Sequence, residues 1–109
     1  MKVSELIEAL KLKLITRIDY TDREVTGCYI GDILTRVLSH AKPCDAWITV
    51  QTGAEITKVA AATDVACIII PEGITVDVAV VEKADENGII ILGSCLDSYG
   101  LAVGIGRSI

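Results

Sequence analysis

Four apolar, β-branched runs, at residues 27–30, 46–50, 66–70 and 89–92, punctuate the chain. Their starts lie about 20 residues apart, and each is followed by apolar residues at helical spacing. Ile33, Leu34, Val37 and Leu38 make the first such stripe; Ile56, Val59, Ala60 and Thr63 make the second. Val76, Val80, Val81 and Ala84 make the third, and Leu101, Ala102 and Ile105 the last. A strand that repeatedly feeds a helix specifies βαβ crossovers and a parallel sheet. The runs "AWITV", "ACIII" and "GIIIL" are apolar throughout rather than alternating. That is the pattern of strands covered by helices on both faces. The expected class is α/β: a three-layer α/β/α sandwich around a mostly parallel sheet of four or five strands.

The flanks fit one domain over 1–109. A helix over 4–12 has Leu6, Ile7 and Leu10 on one side and Glu5, Glu8 and Lys11 on the other. A short strand is expected at 13–16, and then "RIDYTDREVTG" reads as a polar surface loop. Helix boundaries carry their own punctuation. Thr52-Gly53-Ala54-Glu55 and Ser94-Cys95-Leu96-Asp97 have the form of capping boxes, in which the first hydroxyl accepts from the backbone three residues on. Thr75 and Asp77 precede the third crossover helix, and Asn87-Gly88 stops it.

The balance of charge narrows the partners. Ten Lys and Arg against 15 Asp and Glu give a net charge of −5. Nucleic acids and anionic membrane surfaces are held by clustered Lys and Arg, so neither is an expected partner. No apolar run reaches the roughly 20 residues of a bilayer span. A charged N-terminal turn is unlike a secretory leader, so the expected location is the cytoplasm. Phe is absent and aromatics are 4% of residues, which leaves the core to Ile, Val, Leu and Ala. Trp47, the only Trp, fits either that core or an interface.

Little in the chain announces chemistry. Cys28, Cys44, Cys67 and Cys95 have no CxxC spacing, so no metal is expected and reduced thiols are. Cys95 falls at an expected helix start, a position that favours thiolate. His40 sits near a helix end, where a ring more often meets terminal carbonyls than a nearby Cys44. There is no P-loop GxxxxGK[ST], no dinucleotide GxGxxG between a strand and a helix, and no GxSxG elbow. Neither a catalytic set nor a cofactor is called for.

Parallel sheets bind ligands where strand carboxyl ends meet helix N-termini. Gly31, Asp32, Gln51, Thr52, Gly53 and Ser94 occupy such loops and are the candidate ligand residues. Asp32, Glu55, Glu72 and Asp97 lie close by, and their charge opposes an anion. Ordinary capped turns explain these loops without any ligand.

The blocks "DREVTGCYIGDILTRVL", "DAWITVQTGAEITKVAAATDVACIIIPEG" and "EKADENGIIILGSCLDSYGLA" together resemble the DRTGG domain family, over about residues 3–105. The resemblance implies a fold similar to the N-terminal domain of HPr kinase/phosphorylase, in a stand-alone form without the kinase domain. In relatives it is joined to CBS domains in regulated pyrophosphatases and to some phosphotransacetylases, which implies a regulatory, dimer-forming module. Many relatives carry a Gly-Asp-Arg type sequence after the third strand. This chain has Gln51-Thr52-Gly53-Ala54-Glu55 there, and its only Asp-Arg is Asp22-Arg23, in an earlier loop. The expected function is a non-catalytic, homodimeric regulatory module. The alternative is a sensor for a small metabolite, such as an adenine nucleotide, bound at the carboxyl-end loops.

Overall fold

The computed structural model describes residues 1–17 and 22–109; residues 18–21, within the expected surface loop, lie outside the described residues. In chain order the elements are α1 (Val3–Leu10), β1 (Lys13–Leu14), β2 (Gly27–Ile30), α2 (Leu34–His40) and β3 (Asp45–Ile48). They continue with α3 (Glu55–Thr63), β4 (Cys67–Ile70), α4 (Val78–Glu86), β5 (Ile91–Gly93) and α5 (Ser98–Ser108). The sheet runs β1-β5-β4-β3-β2. β2 through β5 are parallel neighbours in sequence order, and β1 closes the far edge antiparallel to β5.

Side-chain alternation divides the strands between two cores. Trp47, Ile68, Ile70 and Ile91 face Val37 of α2, Ile56, Val59 and Ala60 of α3, and Val80 and Ala84 of α4. Ala46, Ile48, Cys67, Ile69 and Leu92 face Val3 and Leu6 of α1 and Leu101 and Ile105 of α5. Every residue of β3 and β4 is buried, as a strand covered on both faces must be. The register lines up Tyr29, Trp47, Ile68 and Ile91 as one row across four strands. Trp47 gives that row its bulk and is fully buried. It belongs to the core, so its exposure to a partner, the other expectation for it, is excluded in this chain's own fold.

Element ends differ from the sequence expectation for local reasons. β3 stops at Ile48 because the Val50 N–H turns to the Asp32 carboxylate (2.9 Å). β5 starts late because Ile89 closes α4: its N–H reaches the Ala84 carbonyl at 2.9 Å while Gly88 N–H reaches Asp85 at 3.3 Å. With Gly88 at φ 70°, this is a Schellman stop. α5 packs against α1 closely enough that a Cβ on Gly104 would lie 2.5 Å from the Leu10 side chain, which would have to shift to admit it.

Candidate functional site

The carboxyl ends of β2 to β5 gather four loops at one end of the sheet. α2, α3 and α4 lie over one face and α5 over the other. The chain therefore turns one way after β4 and the other way after β5. That divergence is the switch point, where an open α/β sheet forms its ligand crevice.

The crevice is closed by the protein's own backbone. Glu72 N–H donates to the Leu96 carbonyl and Gly73 N–H to the Ser94 carbonyl, each at 2.8 Å. Ser94 N–H continues the ladder to Ile70 at 3.0 Å, and Leu96 N–H donates to the Ser94 hydroxyl at 3.0 Å. Glu72 and Gly73 both take positive φ (62° and 67°), a turn that aims their amides at the β5 loop. Ser94 is thus spent on structure.

The β2 and β3 loops are tied in a similar way. The Asp32 carboxylate accepts from the Thr49 hydroxyl (2.8 Å) and from Val50 N–H (2.9 Å). Gln51 Nε2 returns to the Asp32 carbonyl (2.9 Å), while Gln51 N–H donates to Thr49 Oγ1 (3.1 Å). Gly31 receives the Trp47 indole N–H on its carbonyl (2.9 Å) and donates its own N–H to Ile48 (3.2 Å). The fold therefore joins Gly31, Asp32 and Gln51 into one cluster and leaves Ser94 two strands away, bonded to the β4 loop.

The two expected capping boxes do not form. α3 begins at Glu55 behind Ala54, with no side-chain cap, so Thr52 stands two residues ahead of the cap position. The return to Asp32 is made just before Thr52, by Thr49, Val50 and Gln51. α5 is capped instead by Asp97, whose carboxylate accepts from Gly100 N–H (2.8 Å). Cys95, exposed in the turn before that cap, is consequently not at a helix N-terminus.

Apolar side chains stand out at this end. Ile30, Ile33, Val50, Val78, Leu96 and Tyr99 are all exposed there, with Tyr99, Val78 and Ile33 at 78%, 71% and 63%. Tyr99 does not pack a helix face as a core residue would. Asp32, Glu55, Glu72, Asp77 and Asp97 surround these residues, and no Lys or Arg occurs in the loops.

The opposite end holds residues whose role the sequence hid. Asp22 accepts from Ser4 through its backbone N–H (3.0 Å) and its hydroxyl, and so anchors the start of α1. Those two donors, the hydroxyl first, hold the Asp22 carboxyl below its usual range. Arg23 reaches across to the α3–β4 junction. Its Nη1 contacts Asp64 Oδ1 (2.9 Å) and the Val65 carbonyl (3.1 Å), and its Nη2 the Asp64 carbonyl (3.0 Å). Cys44 Sγ lies 3.6 Å from Nη2. Burial works against the Arg23 cation, but the contacts with Cys44 and Asp64 outweigh it and stabilise the charged form. What reads in sequence as a solvated loop is therefore a clamp. His40 donates Nδ1–H to Arg36 in its own helix (2.9 Å), so His40 and Cys44 look to different partners.

Two of the thiols, Cys67 and Cys28, are held in the neutral form by their placement. Burial drives the Cys67 thiol up to about 12, with Cys28 adding to the effect and Arg23 opposing it. Cys28 lies on the open β2 edge, yet partial desolvation, helped by the Asp45 carboxylate, lifts its thiol to about 11. Among the described residues no group of His, Cys, Asp and Glu could hold a metal ion. No helix among them is long and apolar enough to cross a membrane.

A groove of about 580 Å³ opens between α3 and α4, on the outer surface of the three crossover helices. Lys58 and Lys83 line it together with Thr57, Ala61, Ala62 and Asn87. The only sequence signal for it is that these two lysines are the sole basic residues of their helices, "EITKVAAAT" and "VAVVEKADE".

No family model matches the chain, and no curated protein matches it. Among solved structures it is similar to the CBS and DRTGG domains of the regulatory region of Clostridium perfringens pyrophosphatase, crystallised with the activator diadenosine tetraphosphate. The TM-score is 0.74 at 16% identity, over 98% of this chain and 46% of that one. The chain thus spans less than half the length of that region. The likeness is one of fold: an α/β sandwich on a mostly parallel sheet, consistent with the DRTGG-like architecture.

Proposed function

We propose that the chain is a non-catalytic regulatory module that works as a homodimer through the carboxyl end of its sheet. The observation that carries this reading is the set of apolar side chains exposed there, from Ile30 and Ile33 across Val50 and Val78 to Leu96 and Tyr99. Clustered apolar exposure of this kind marks a surface made for a protein partner. The loops beneath it are rigid and self-bonded, which suits a docking platform better than a cleft that must close on a substrate. Light scattering at micromolar concentration tests the reading, with a species of twice 11.6 kDa expected. Ile33→Lys with Tyr99→Lys should return the monomer without lowering its melting temperature. A lone 11.6 kDa species in the unmodified protein would sink the dimer.

A second reading, a sensor of a small metabolite, has its own support. The α3–α4 groove carries unopposed positive charge in an acidic protein, and the fold is similar to a regulatory region crystallised with a nucleotide activator. The sequence placed such a ligand at the carboxyl-end loops. Their acidic surroundings and internal bonding argue for a different address. A thermal-shift panel of metabolites at millimolar concentration checks for any sensing; no shift with any of them would end this reading.

A further inference from the structure

The net charge of −5 makes any concentration of bare cations on this molecule notable, and the α3–α4 groove is one. Lys58 and Lys83 both line it, and neither forms an ion pair among the described residues. The carboxylates of the same helices, Glu55, Glu82, Asp85 and Glu86, are absent from its lining. Asp85 is engaged elsewhere, accepting from Arg17 N–H at 2.8 Å. A second hollow of about 240 Å³ shares Ala61 and Asn87 with the first and continues to Arg23. The trench thus runs past three cations, of which only Arg23 is neutralised, by Asp64.

We propose that this groove binds a small phosphate ester, with the phosphate between Lys58 and Lys83 and the organic group on the methyl floor of Ala61 and Ala62. Two ammonium groups on one groove match a single dianionic head, and lysine serves phosphate as a point charge. The groove volume falls within the range of small-ligand sites, roughly 300–1,000 Å³. The alanines leave room for a flat apolar body, where longer side chains would fill the space. The proposal rests on the sensor reading and gives it a location.

A titration followed by amide chemical shifts tests it, with phenyl phosphate and inorganic phosphate as probes. Saturable shifts at Lys58, Ala61, Ala62, Lys83 and Asn87 are expected, at lower concentration for phenyl phosphate because only it uses the alanine floor. Lys58→Gln and Lys83→Gln should each weaken binding about three-fold, and together about ten-fold, as partly exposed charge pairs do. An unchanged circular-dichroism melt shows that the variants remain folded. Shifts confined to residues 31–33, 50–54 and 93–97 would overturn the groove while leaving a sensor at the strand ends. Binding unchanged in the double variant would overturn the lysine roles. No saturable shift anywhere would take down the groove and the sensor reading together.

Discussion

The two ends of the sheet are built to different rules. At the amino end, residues far apart in sequence are stitched together: Arg23 holds the α3–β4 junction, Asp22 holds Ser4, and Met1 N–H₃⁺ meets Glu24 at 3.0 Å. At the carboxyl end each loop is tied to its neighbour, by Asp32 in one pair and by the Glu72 and Gly73 amides in the other. Apolar side chains project past that bonding. One end closes the fold; the other offers a surface. The contrast shows that a loop can be rigid without being buried, and that firmness at the strand ends is no sign of a catalytic crevice.

Substitutions can break or sharpen this contrast. The largest effect should come from the buried row that crosses the sheet between the two ends. Trp47→Ala empties a fully buried site and removes a hydrogen bond to Gly31, at a cost of about 3–5 kcal/mol. Denaturation followed by far-ultraviolet circular dichroism is the suitable readout, since the only Trp is lost. Arg23→Ala should cost about 1–3 kcal/mol by stranding the Asp64 and Val65 carbonyls. Amide shifts of the carboxyl-end loops should stay where they were; movement there would show that the ends are coupled.

Smaller effects separate real caps from apparent ones. Asp97→Ala should cost about 1 kcal/mol, the ordinary value of an N-cap. Thr52→Ala should change stability by less than about 0.5 kcal/mol, because Thr52 caps no helix. A loss as large as that of Asp97→Ala would restore the capping box read from sequence. The smallest test concerns acid. The folded-state value of Asp22 is depressed, so its contribution is present above the ordinary 3.8 and is lost as pH falls through the lower folded value. The stability gap between the native protein and Asp22→Asn should therefore be constant near neutrality and close below pH 3.8. A gap that widened on acidification would reverse the assigned sign.

The sequence reading reached the crossovers and both core faces because a buried strand and an amphipathic helix leave periodic marks. "AWITV" and "ACIII" became β3 and β4, and Asn87-Gly88 became the stop it resembled. The site was less legible. Thr52-x-x-Glu55 has the letters of a cap, but α3 starts only at Glu55, behind Ala54, and no pattern within the segment records that delay. Arg23 looked solvent-borne because its partners, Asp64 and Val65, lie 41 and 42 positions onward. The Lys58–Lys83 groove depends on the approach of two helices, which periodicity does not supply.

The antiparallel edge has a consequence for how the chain is made. Among the described residues β1 pairs with β5 alone, Lys13 opposite Gly93, and α1 shares its core with α5. Within this domain β1 is made well before the strand it pairs with. The β2 to β5 crossovers can assemble in order, each strand on the one before it. Val3 and Leu6 can meet Ala46, Ile48 and Cys67 first, and their core is completed only when Leu101 and Ile105 exist. Closure of the β1–β5 pairing is then a late step, since contacts of such long sequence separation are the slow ones to form. Until α5 packs, the part of that sheet face it covers stands open, the state in which a nascent domain is most exposed to aggregation.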